Sequence, residues 1–349
     1  MQESGRPTIK DVARAAGVSP TTVSHALNGK GVVRRETVER IERIASEVGY
    51  RPSAIARGLQ KSRLSLLALV IRPFNTLDTY LPTGVDYFLR LAGAASLAAM
   101  ERGYSLMLVD DPTKPGTPLS ARVADAYIVT EPFENDPVLT YLAEERVPFV
   151  TVGADPARRD AFPAIDADSQ DQTALVLDHL VDAGAERIGF VIGTDKNSWT
   201  ADSHEYYASW CAEQGREPLI YTAPESLGER VGPGALDFFF GEAGGQGPGS
   251  GRPVPDAIYC LTGRHAAGVN AEAARRGIRV PDQLLIAAAS GALQNMTSRP
   301  SVTVLDLHPE ELAKHAVDVA VALAEHRPIA DVDRTVLPSL IVRESTTRG

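Results

Sequence analysis

Residues 8–28 read TIKDVARAAGVSPTTVSHALN, and this stretch decides the fold of the N-terminal part of the chain. Thr8 is a favourable helix N-cap, and Asp11, three residues later, completes a capping box. Apolar residues then recur at helical spacing until Gly17, which ends the helix and permits a sharp turn. Ser19 is a second N-cap, followed by a proline at the first helical position. The stretch therefore predicts a helix-turn-helix.

The second helix has an apolar face and a polar face. Val23, Ala26 and Leu27 are predicted to face inward, and a third helix over residues 35–48 is predicted to pack beneath the first two. The residues predicted to face outward are Thr21, Thr22, Ser24 and His25. Small hydroxyls and an imidazole can reach base edges and phosphates without steric hindrance, so the pattern indicates DNA binding.

Charge is distributed unevenly along the chain. The first 63 residues contain 12 Lys/Arg and 6 Asp/Glu, whereas the remainder contains 23 Lys/Arg and 39 Asp/Glu. A basic head on an acidic body indicates that only the head meets a polyanion. The charge distribution alone also allows an alternative, in which the basic residues cluster by chance on a solvated surface.

Composition excludes several classes of protein. The chain is 44% hydrophobic and 23% charged, and no apolar run reaches the ~18 residues that a membrane span needs. The polar N-terminus predicts no secretory signal, and Cys211 and Cys260 have no metal-binding spacing. No nucleophile elbow, phosphate-binding loop or zinc-protease motif occurs. We therefore expect a cytoplasmic protein that is not an enzyme, does not bind a membrane, and has no metal or cofactor.

The head resembles that of the lactose-repressor/galactose-repressor family of bacterial transcription regulators. The resemblance rests on TIKDVA at 8–13, AGVS at 16–19, TVSHALN at 22–28 and GYRPSA at 49–54. The string TTVSH at 21–25 is similar to the purine-repressor branch. The resemblance implies a hinge helix at about residues 53–61 that enters the minor groove of DNA. It also implies that Leu59 wedges into the central base step with Ala56 beside it.

The predicted DNA site follows from the head and this resemblance together. Its residues are Thr8, Lys10, Ser19, Thr21, Thr22, Ser24, His25, Asn28, Arg34, Ser53, Ala56, Arg57 and Leu59. Thr21, Thr22 and His25 are expected to set sequence preference, and the cations Lys10, Arg34 and Arg57 to set affinity. Because one head reads only a few base pairs, we expect a homodimer on a near-palindromic double-stranded operator.

The body, residues 63–349, alternates apolar strands with amphipathic helices. Strands are predicted at 64–71, 104–109, 126–129, 149–152, 187–192, 256–261 and 284–289. Helices are predicted up to about 103 and at 136–145, 168–183, 203–213, 265–276 and 309–325. This alternation predicts an α/β body of two doubly wound, parallel-sheet lobes beneath the all-α head.

The resemblance extends to the body through HLVDAG at 179–184, RIG at 187–189 and RGIRVPD at 276–282. It implies a periplasmic-binding-protein-like domain in which the chain crosses between lobes near Ile165, residues 290–294 and Pro328. The predicted domains are a head and hinge at 1–62 and an effector-binding and dimerisation domain at 63–349. Lobe 1 is expected to comprise about 63–164 and 293–328, and lobe 2 about 165–290 and 329–349.

The resemblance also implies a small-molecule effector between the lobes, but the usual sugar anchors are absent. Ser203 stands in place of an arginine, and Gly263 and Gly291 in place of two acids. The effector is therefore predicted not to be a simple hexose. The candidate effector residues are Tyr80, Tyr87, Phe133, Trp199, Ser203, Tyr206, Arg264, His265 and Ser290. These residues favour a ring or an anion, although any of the aromatic ones could instead belong to the core or the rim.

Taken together, the sequence predicts a transcriptional regulator, and more specifically a repressor whose DNA affinity a small molecule modulates. One alternative is a DNA-binding regulator that has lost ligand control. Another is a small-molecule binding or transport receptor, which fits the body but leaves the head unexplained. Salt-dependent DNA binding distinguishes the regulators from the receptor.

Overall fold

The computed structural model describes residues 7–28, 33–50, 63–72, 86–165, 169–241, 254–330 and 334–348. The chain divides into two compact units, the first ending at Ser65 and the second beginning at Leu66. None of the described helices is both long enough and apolar enough to cross a membrane.

The first unit contains three helices, α1 (Ile9–Ala16), α2 (Pro20–Asn28) and α3 (Arg35–Glu47). The predicted capping box is present, because the Asp11 carboxylate accepts hydrogen bonds from the Thr8 backbone N–H at 2.9 Å and from the Thr8 hydroxyl at 2.7 Å. Gly17 has φ of 63°, the left-handed conformation that ends α1. Ser19 Oγ accepts from the Thr22 N–H at 3.0 Å and begins α2. The predicted helix-turn-helix is confirmed.

A small apolar core holds these three helices together. Its buried residues are Val12, Ala13, Ala16, Val23, Ala26, Ile41 and Ala45. Each helix contributes at least two of them, and the inward-facing assignments of Val23 and Ala26 are confirmed. The core is built from short side chains, so the helices approach closely and leave the polar face of α2 outside.

The second unit contains two sheets. The first sheet has the order β2-β1-β3-β4-β5 and is parallel throughout. Its strands are β1 (Leu66–Ile71), β2 (Ser105–Val109), β3 (Ala126–Thr130), β4 (Phe149–Val152) and β5 (Ala164–Ile165). The second sheet has the order β11-β10-β9-β8-β6-β7, in which only the β10–β11 pair is antiparallel. Its strands are β6 (Ile188–Ile192), β7 (Ile220–Thr222), β8 (Ala257–Cys260), β9 (Leu285–Ala288), β10 (Thr303–Asp306) and β11 (Ser339–Ile341).

Helices cover both sheets and bury their faces. The described helices of this unit are α4 (Asp86–Glu101), α5 (Pro137–Glu144), α6 (Ser169–Asp182), α7 (Ser198–Glu213), α8 (Gly232–Phe240), α9 (Gly263–Arg275), α10 (Leu293–Thr297) and α11 (Pro309–Ala324). β1, β3, β6, β8 and β9 are almost wholly buried, as expected for parallel strands covered on both faces. The predicted pair of parallel-sheet lobes is confirmed.

Two of the three predicted crossing points between the lobes are displaced. Residues 293–328 were expected in lobe 1, but β10 pairs with β9 and so belongs to the second sheet. The chain returns to lobe 1 only with α11, which packs on the first sheet together with α4. Val336 still lies in the core of lobe 1, so the last crossing falls between Val336 and Ser339 rather than at Pro328. The first crossing follows Ile165, where it was expected.

Several local expectations also differ from the structure or lie outside it. Helix α7 begins at Ser198, five residues before the predicted start, because the Asn197 side chain caps it by accepting from the Thr200 N–H at 2.9 Å. The predictions for Ser53, Ala56, Arg57 and Leu59, and for Tyr80, fall outside the described residues. They stay predictions.

A buried ion cluster joins three strand ends of lobe 1. Arg72, 5% exposed, donates to Asp111 at 2.6 Å and to Asp136 at 2.8 Å. Its guanidinium also lies 5.1 Å from the centroid of the Phe133 ring. Asp136 is fully buried and accepts further from the Val138 N–H at 2.8 Å. Charges in such a site are tolerated because each is paired and hydrogen-bonded.

Removing the cation should therefore cost far more than removing an exposed one. We expect Arg72→Met to destabilise the second unit by about 3–5 kcal/mol, since two carboxylates would be left buried without a counter-charge. The matched control is Lys114→Met, which removes an exposed cation 3.0 Å from Asp110 and should cost about 1 kcal/mol or less. Urea unfolding of both variants measures the difference, and equal losses would contradict a structural role for the cluster.

Candidate functional site

Helix α2 presents a polar face away from the core of the first unit. Thr21 and His25 are exposed and lie one helical turn apart, and Lys10 and Arg34 are exposed on flanking positions. Ser24 is half-buried, and Asn28 ends the helix. The structure thus brings the predicted base-reading and phosphate-binding residues of the described head onto one small unit.

Thr22 and Ser19 form a local pair at the start of α2. Their hydroxyl oxygens lie 2.8 Å apart, and Thr22 is half-buried rather than fully outward. This pair fixes the N-terminal turn of α2. Thr21 and His25 are the two predicted base-reading side chains that the structure leaves most exposed.

A second candidate site is a cavity between the lobes of the second unit, with a volume of about 120 Å³. Its lining residues follow the carboxyl ends of strands in both sheets: Glu131 after β3, Gly153 after β4, Asp195 after β6 and Ser290 after β9. Loops at this end of parallel strands converge, which is why ligand sites form there. The volume is several times the ~10–15 Å³ that one water requires, so it can admit a small organic molecule.

Carboxylates are prominent in the cavity. Glu131 comes from lobe 1, and Asp195 and Glu225 come from lobe 2. Glu225 Oε1 accepts from the Asp195 backbone N–H at 3.0 Å, and its Oε2 accepts from the Thr194 hydroxyl at 3.3 Å. Burial and the neighbouring charge of Glu225 raise the pKa of Asp195 to about 6.

Aromatic side chains form the walls. Tyr87, Phe88 and Trp199 line the cavity, and the Tyr87 and Phe88 rings meet edge to face with centroids 5.0 Å apart. Trp199 donates through Nε1 to Gln172 Oε1 at 3.1 Å, which fixes the indole. Burial, together with the charge of Glu131, raises the pKa of Tyr87 well above its ordinary value.

Arg264 and Ser290 also line the cavity, while His265 lies beneath it. The Arg264 guanidinium packs against Gly228, and Ser290 Oγ accepts from the Gly263 N–H at 3.1 Å. His265 is fully buried, and burial lowers the pKa of its imidazole. Of the predicted effector residues that the structure describes, Tyr87, Trp199, Arg264 and Ser290 line the cavity.

The remaining described candidates lie elsewhere. Phe133 pairs through its backbone with Asn197 and stacks on Arg72. Ser203 is fully buried on the inner face of α7, and Tyr206 packs half-buried on the core of lobe 2. Ser203 and Tyr206 do not line the cavity because α7 begins before them and directs its first turn, with Trp199, towards it.

Protein groups also tie the two lobes together beside the cavity. Arg159 of lobe 1 forms an ion pair with Asp202 of lobe 2, with a contact of 2.8 Å between Nη1 and Oδ2. The Glu134 N–H donates to the Lys196 carbonyl at 2.8 Å, and the Ala154 N–H donates to Ser198 Oγ at 3.2 Å. We call these contacts the inter-lobe clasp.

The structure explains one departure from the family pattern and corrects one expectation. A Cβ at position 263 would lie 2.5 Å from the Ser290 carbonyl oxygen and 2.7 Å from Asn295 Oδ1, so only glycine fits. Acids nevertheless reach the cavity from Glu131, Asp195 and Glu225, which the sequence reasoning missed. The described part of the lining thus includes three carboxylates and one arginine, whereas the sequence reasoning expected a ring or an anion.

Comparisons with known proteins match two regions of the chain. Residues 8–53 match the family described as bacterial regulatory proteins, lacI family. Residues 177–346 match the periplasmic binding protein-like domain.

Two curated relatives and two solved structures are similar to nearly the whole chain. A ribose operon repressor from Halalkalibacterium halodurans is 25% identical and covers 98% of this chain and 97% of its own length. The transcriptional repressor PurR from Haemophilus influenzae is 25% identical, with coverage of 97% and 98%. A lac repressor dimer bound to operator and the anti-inducer ONPF has the same fold, with TM-score 0.76 and 18% identity over 99% of this chain and 100% of that one. A CelR–cellobiose complex has TM-score 0.66 and 21% identity over 97% and 100%.

A DNA-binding head followed by a two-lobed binding domain defines a transcription regulator rather than an enzyme. Within that class, residues 8–53 match the lacI family of bacterial regulatory proteins, and two repressors are similar to the chain over nearly its whole length.

The position of Glu225 depends on a glycine, and this can be tested by stability. A Cβ at Gly193 would lie 1.6 Å from Glu225 Oε1, so Gly193→Ala must displace that carboxylate and its hydrogen bonds. Because the displaced atoms are the flexible end of the Glu225 side chain, we expect a loss of about 1 kcal/mol, from the two hydrogen bonds. Gly291→Ala is the control, because its Cβ would meet only Val304 Cγ2 at 3.8 Å and should cost about 0.5 kcal/mol or less. Thermal unfolding measures the stability of both variants. A Gly193→Ala variant as stable as the unmodified protein would contradict the described position of Glu225.

Proposed function

We propose that this lacI-family regulator is a repressor that binds a near-palindromic operator as a homodimer. A small molecule in the inter-lobe cavity sets its affinity for DNA. The observation that carries the proposal is the coexistence, in one chain, of a helix-turn-helix with an exposed polar face and a ligand-sized cavity between two lobes. The named repressors among the relatives support the direction of regulation.

On the DNA side, Thr21 and His25 read bases while Lys10 and Arg34 contact phosphates. Thr21 and His25 share the exposed face of α2, and short or planar side chains there fit the major groove. The flanking cations carry no sequence information but supply salt-dependent affinity.

On the effector side, the cavity lies where the two lobes meet, so its occupant contacts both. A ligand alters DNA affinity only if it prefers one arrangement of the lobes over another. Loss of ligand control is less well supported, because a cavity lined by four charged side chains has not been filled by apolar packing. Ser203, Gly263 and Gly291 still argue that the effector is not a simple hexose, since the usual anchors at those positions are absent.

The roles of the head residues separate in a binding experiment. We expect Lys10→Ala to weaken binding to all sequences and to reduce the salt slope of log K by about 1. His25→Ala should relax the base preference at one position, by about 1–3 kcal/mol, with little change in that slope. DNA selected by the full chain from a random pool provides the operator, and fluorescence anisotropy at several salt concentrations provides the slopes.

Arg43→Ala, which removes an exposed cation of α3, is the matched control and should change neither quantity. An unchanged base preference in His25→Ala would show that it does not read bases. Salt-independent binding by the unmodified protein would remove the proposed function itself.

The homodimer is supported by an apolar surface on lobe 1. Leu89, Leu97 and Met100 are exposed by 53%, 64% and 67% on α4, at spacings that place them on one face. Helix α4 packs against β2, an edge strand on which Leu108 is 55% exposed. Exposed apolar residues beside a free strand edge are typical of an interface, and we propose a second copy of this chain as its partner.

Charges placed on this surface should separate the copies. We expect a Leu97→Glu/Met100→Glu double variant to sediment as a monomer and to bind the full operator about 100-fold more weakly, since linked heads gain affinity from each other. Val181→Glu, at an exposed apolar residue of lobe 2, is the control and should remain a dimer. A double variant that stays dimeric would move the interface to another surface.

A further inference from the structure

Two carboxylates of the inter-lobe cavity, those of Asp195 and Glu225, have no cationic partner among the residues that the structure describes. Within the part of the chain that the structure describes, no lysine, arginine or histidine nitrogen lies within 4.0 Å of a carboxylate oxygen of Asp195 or Glu225. Other carboxylates at strand ends do have cationic partners. Asp111 and Asp136 both pair with Arg72, and Asp155 pairs with Arg158. Among the described residues, Asp195 and Glu225 in lobe 2 therefore lack the counter-charge that Asp111, Asp136 and Asp155 have in lobe 1.

The charge balance of the lining is negative. Among the residues that the structure describes, the lining includes three carboxylates, Glu131, Asp195 and Glu225, and one guanidinium, Arg264. Helices α6, α7 and α9 also begin at the cavity, and each N-terminus carries about half an elementary charge at most. Helices α4 and α10 begin there too, but these partial charges fall off within the first turn, so they offset the carboxylates without pairing with Asp195 or Glu225 as an ion would. Neutral hydroxyls could hydrogen-bond to the carboxylates, but they could not cancel this charge.

The walls restrict the shape of an occupant. Tyr87, Phe88 and Trp199 form flat apolar surfaces, and Gln172 holds the indole through a hydrogen bond while being only 2% exposed. Flat aromatic walls favour a planar ring, and their π-faces also attract cations. Shape and charge are independent features of the cavity, and both point to the same chemistry.

We propose that the effector is a small planar ring that carries a protonated amine, with the ammonium bound by Asp195 and Glu225. This inference rests on the proposed function, since it names the ligand class of the same cavity. The ammonium replaces the missing counter-charge with charge-assisted hydrogen bonds, which are about twice as strong as neutral ones. The ring packs among Tyr87, Phe88 and Trp199.

Binding is coupled to protonation. The pKa of Asp195 is raised to about 6 by burial and by the charge of Glu225, so the residue is ionised at pH 7.5 and largely protonated at pH 5. The ammonium needs the ionised form. Affinity is therefore nearly full at pH 7.5, is about halved near pH 6 and falls below that value by up to about tenfold per pH unit. Glu131, Glu225 and Arg264 are the other charged groups that line the cavity, and His265 lies beneath it.

The test uses three probes that share one ring and differ in charge. Tyramine is cationic, 2-(4-hydroxyphenyl)ethanol is neutral and 4-hydroxyphenylacetate is anionic. Calorimetry on the full chain at pH 7.5 should show tyramine binding about tenfold tighter than the neutral probe, with the anion weakest. Glucose and cellobiose serve as hydroxyl-rich neutral probes and should bind more weakly than tyramine. The preference for tyramine should shrink at pH 5.

Variants assign the preference to the cavity. An Asp195→Asn/Glu225→Gln double variant should bind tyramine and the neutral probe equally, whereas Glu229→Gln, an exposed acid on the same segment, should behave as the unmodified protein. The inference is overturned if tyramine is not preferred, if a sugar binds more tightly, or if the preference survives the double variant. Operator binding by the same preparations is measured in parallel. If the protein still binds DNA in a salt-dependent way but does not prefer tyramine, only the proposed ligand class is wrong. If it does not bind DNA, the proposed function is wrong.

Discussion

The binding domain depends on one geometric constraint, which is that parallel strands end at a common edge. Because the edges of both sheets meet at one cleft, residues far apart in the chain converge there. Glu131 follows β3, Asp195 follows β6 and Arg264 follows β8, yet all three line a single cavity. The covering helices then need only bury the strands, which is why the core is apolar while the charges collect at the strand ends.

The head was predictable because its signals are local. The partners Thr8 and Asp11, like Ser19 and Thr22, lie three residues apart, so the sequence alone places the donor near the acceptor. Gly17 adopts the left-handed conformation that its position between two helices demanded. In the body, the long apolar runs of β1, β3 and β6 were predictable for the same reason, since a strand buried on both faces is a continuous apolar run.

The lining of the cavity was harder to foresee because it depends on contacts distant in sequence. Glu225 follows β7, a strand of only three residues that shows no recognisable period. Gly263 is required by the Ser290 carbonyl and Asn295, some thirty positions away. The crossing after β10 was misplaced because the short strand pairs with β9, and no local pattern marks which sheet it joins. Tyr87, Trp199, Arg264 and Ser290 were anticipated through the family resemblance rather than from spacing.

The inter-lobe clasp influences how easily the balance between closed and open lobes can be shifted. Its ion pair joins Arg159, whose side chain is 46% exposed, to Asp202, so it contributes about 1 kcal/mol or less. That corresponds to roughly a fivefold bias in the ratio of closed to open lobes. Because these contacts are made by protein groups alone, closure has a baseline that does not rely on an occupant bridging the cleft. A molecule that prefers one arrangement of the lobes by a similar factor would offset this bias, so the proposed effector would need only a modest differential affinity.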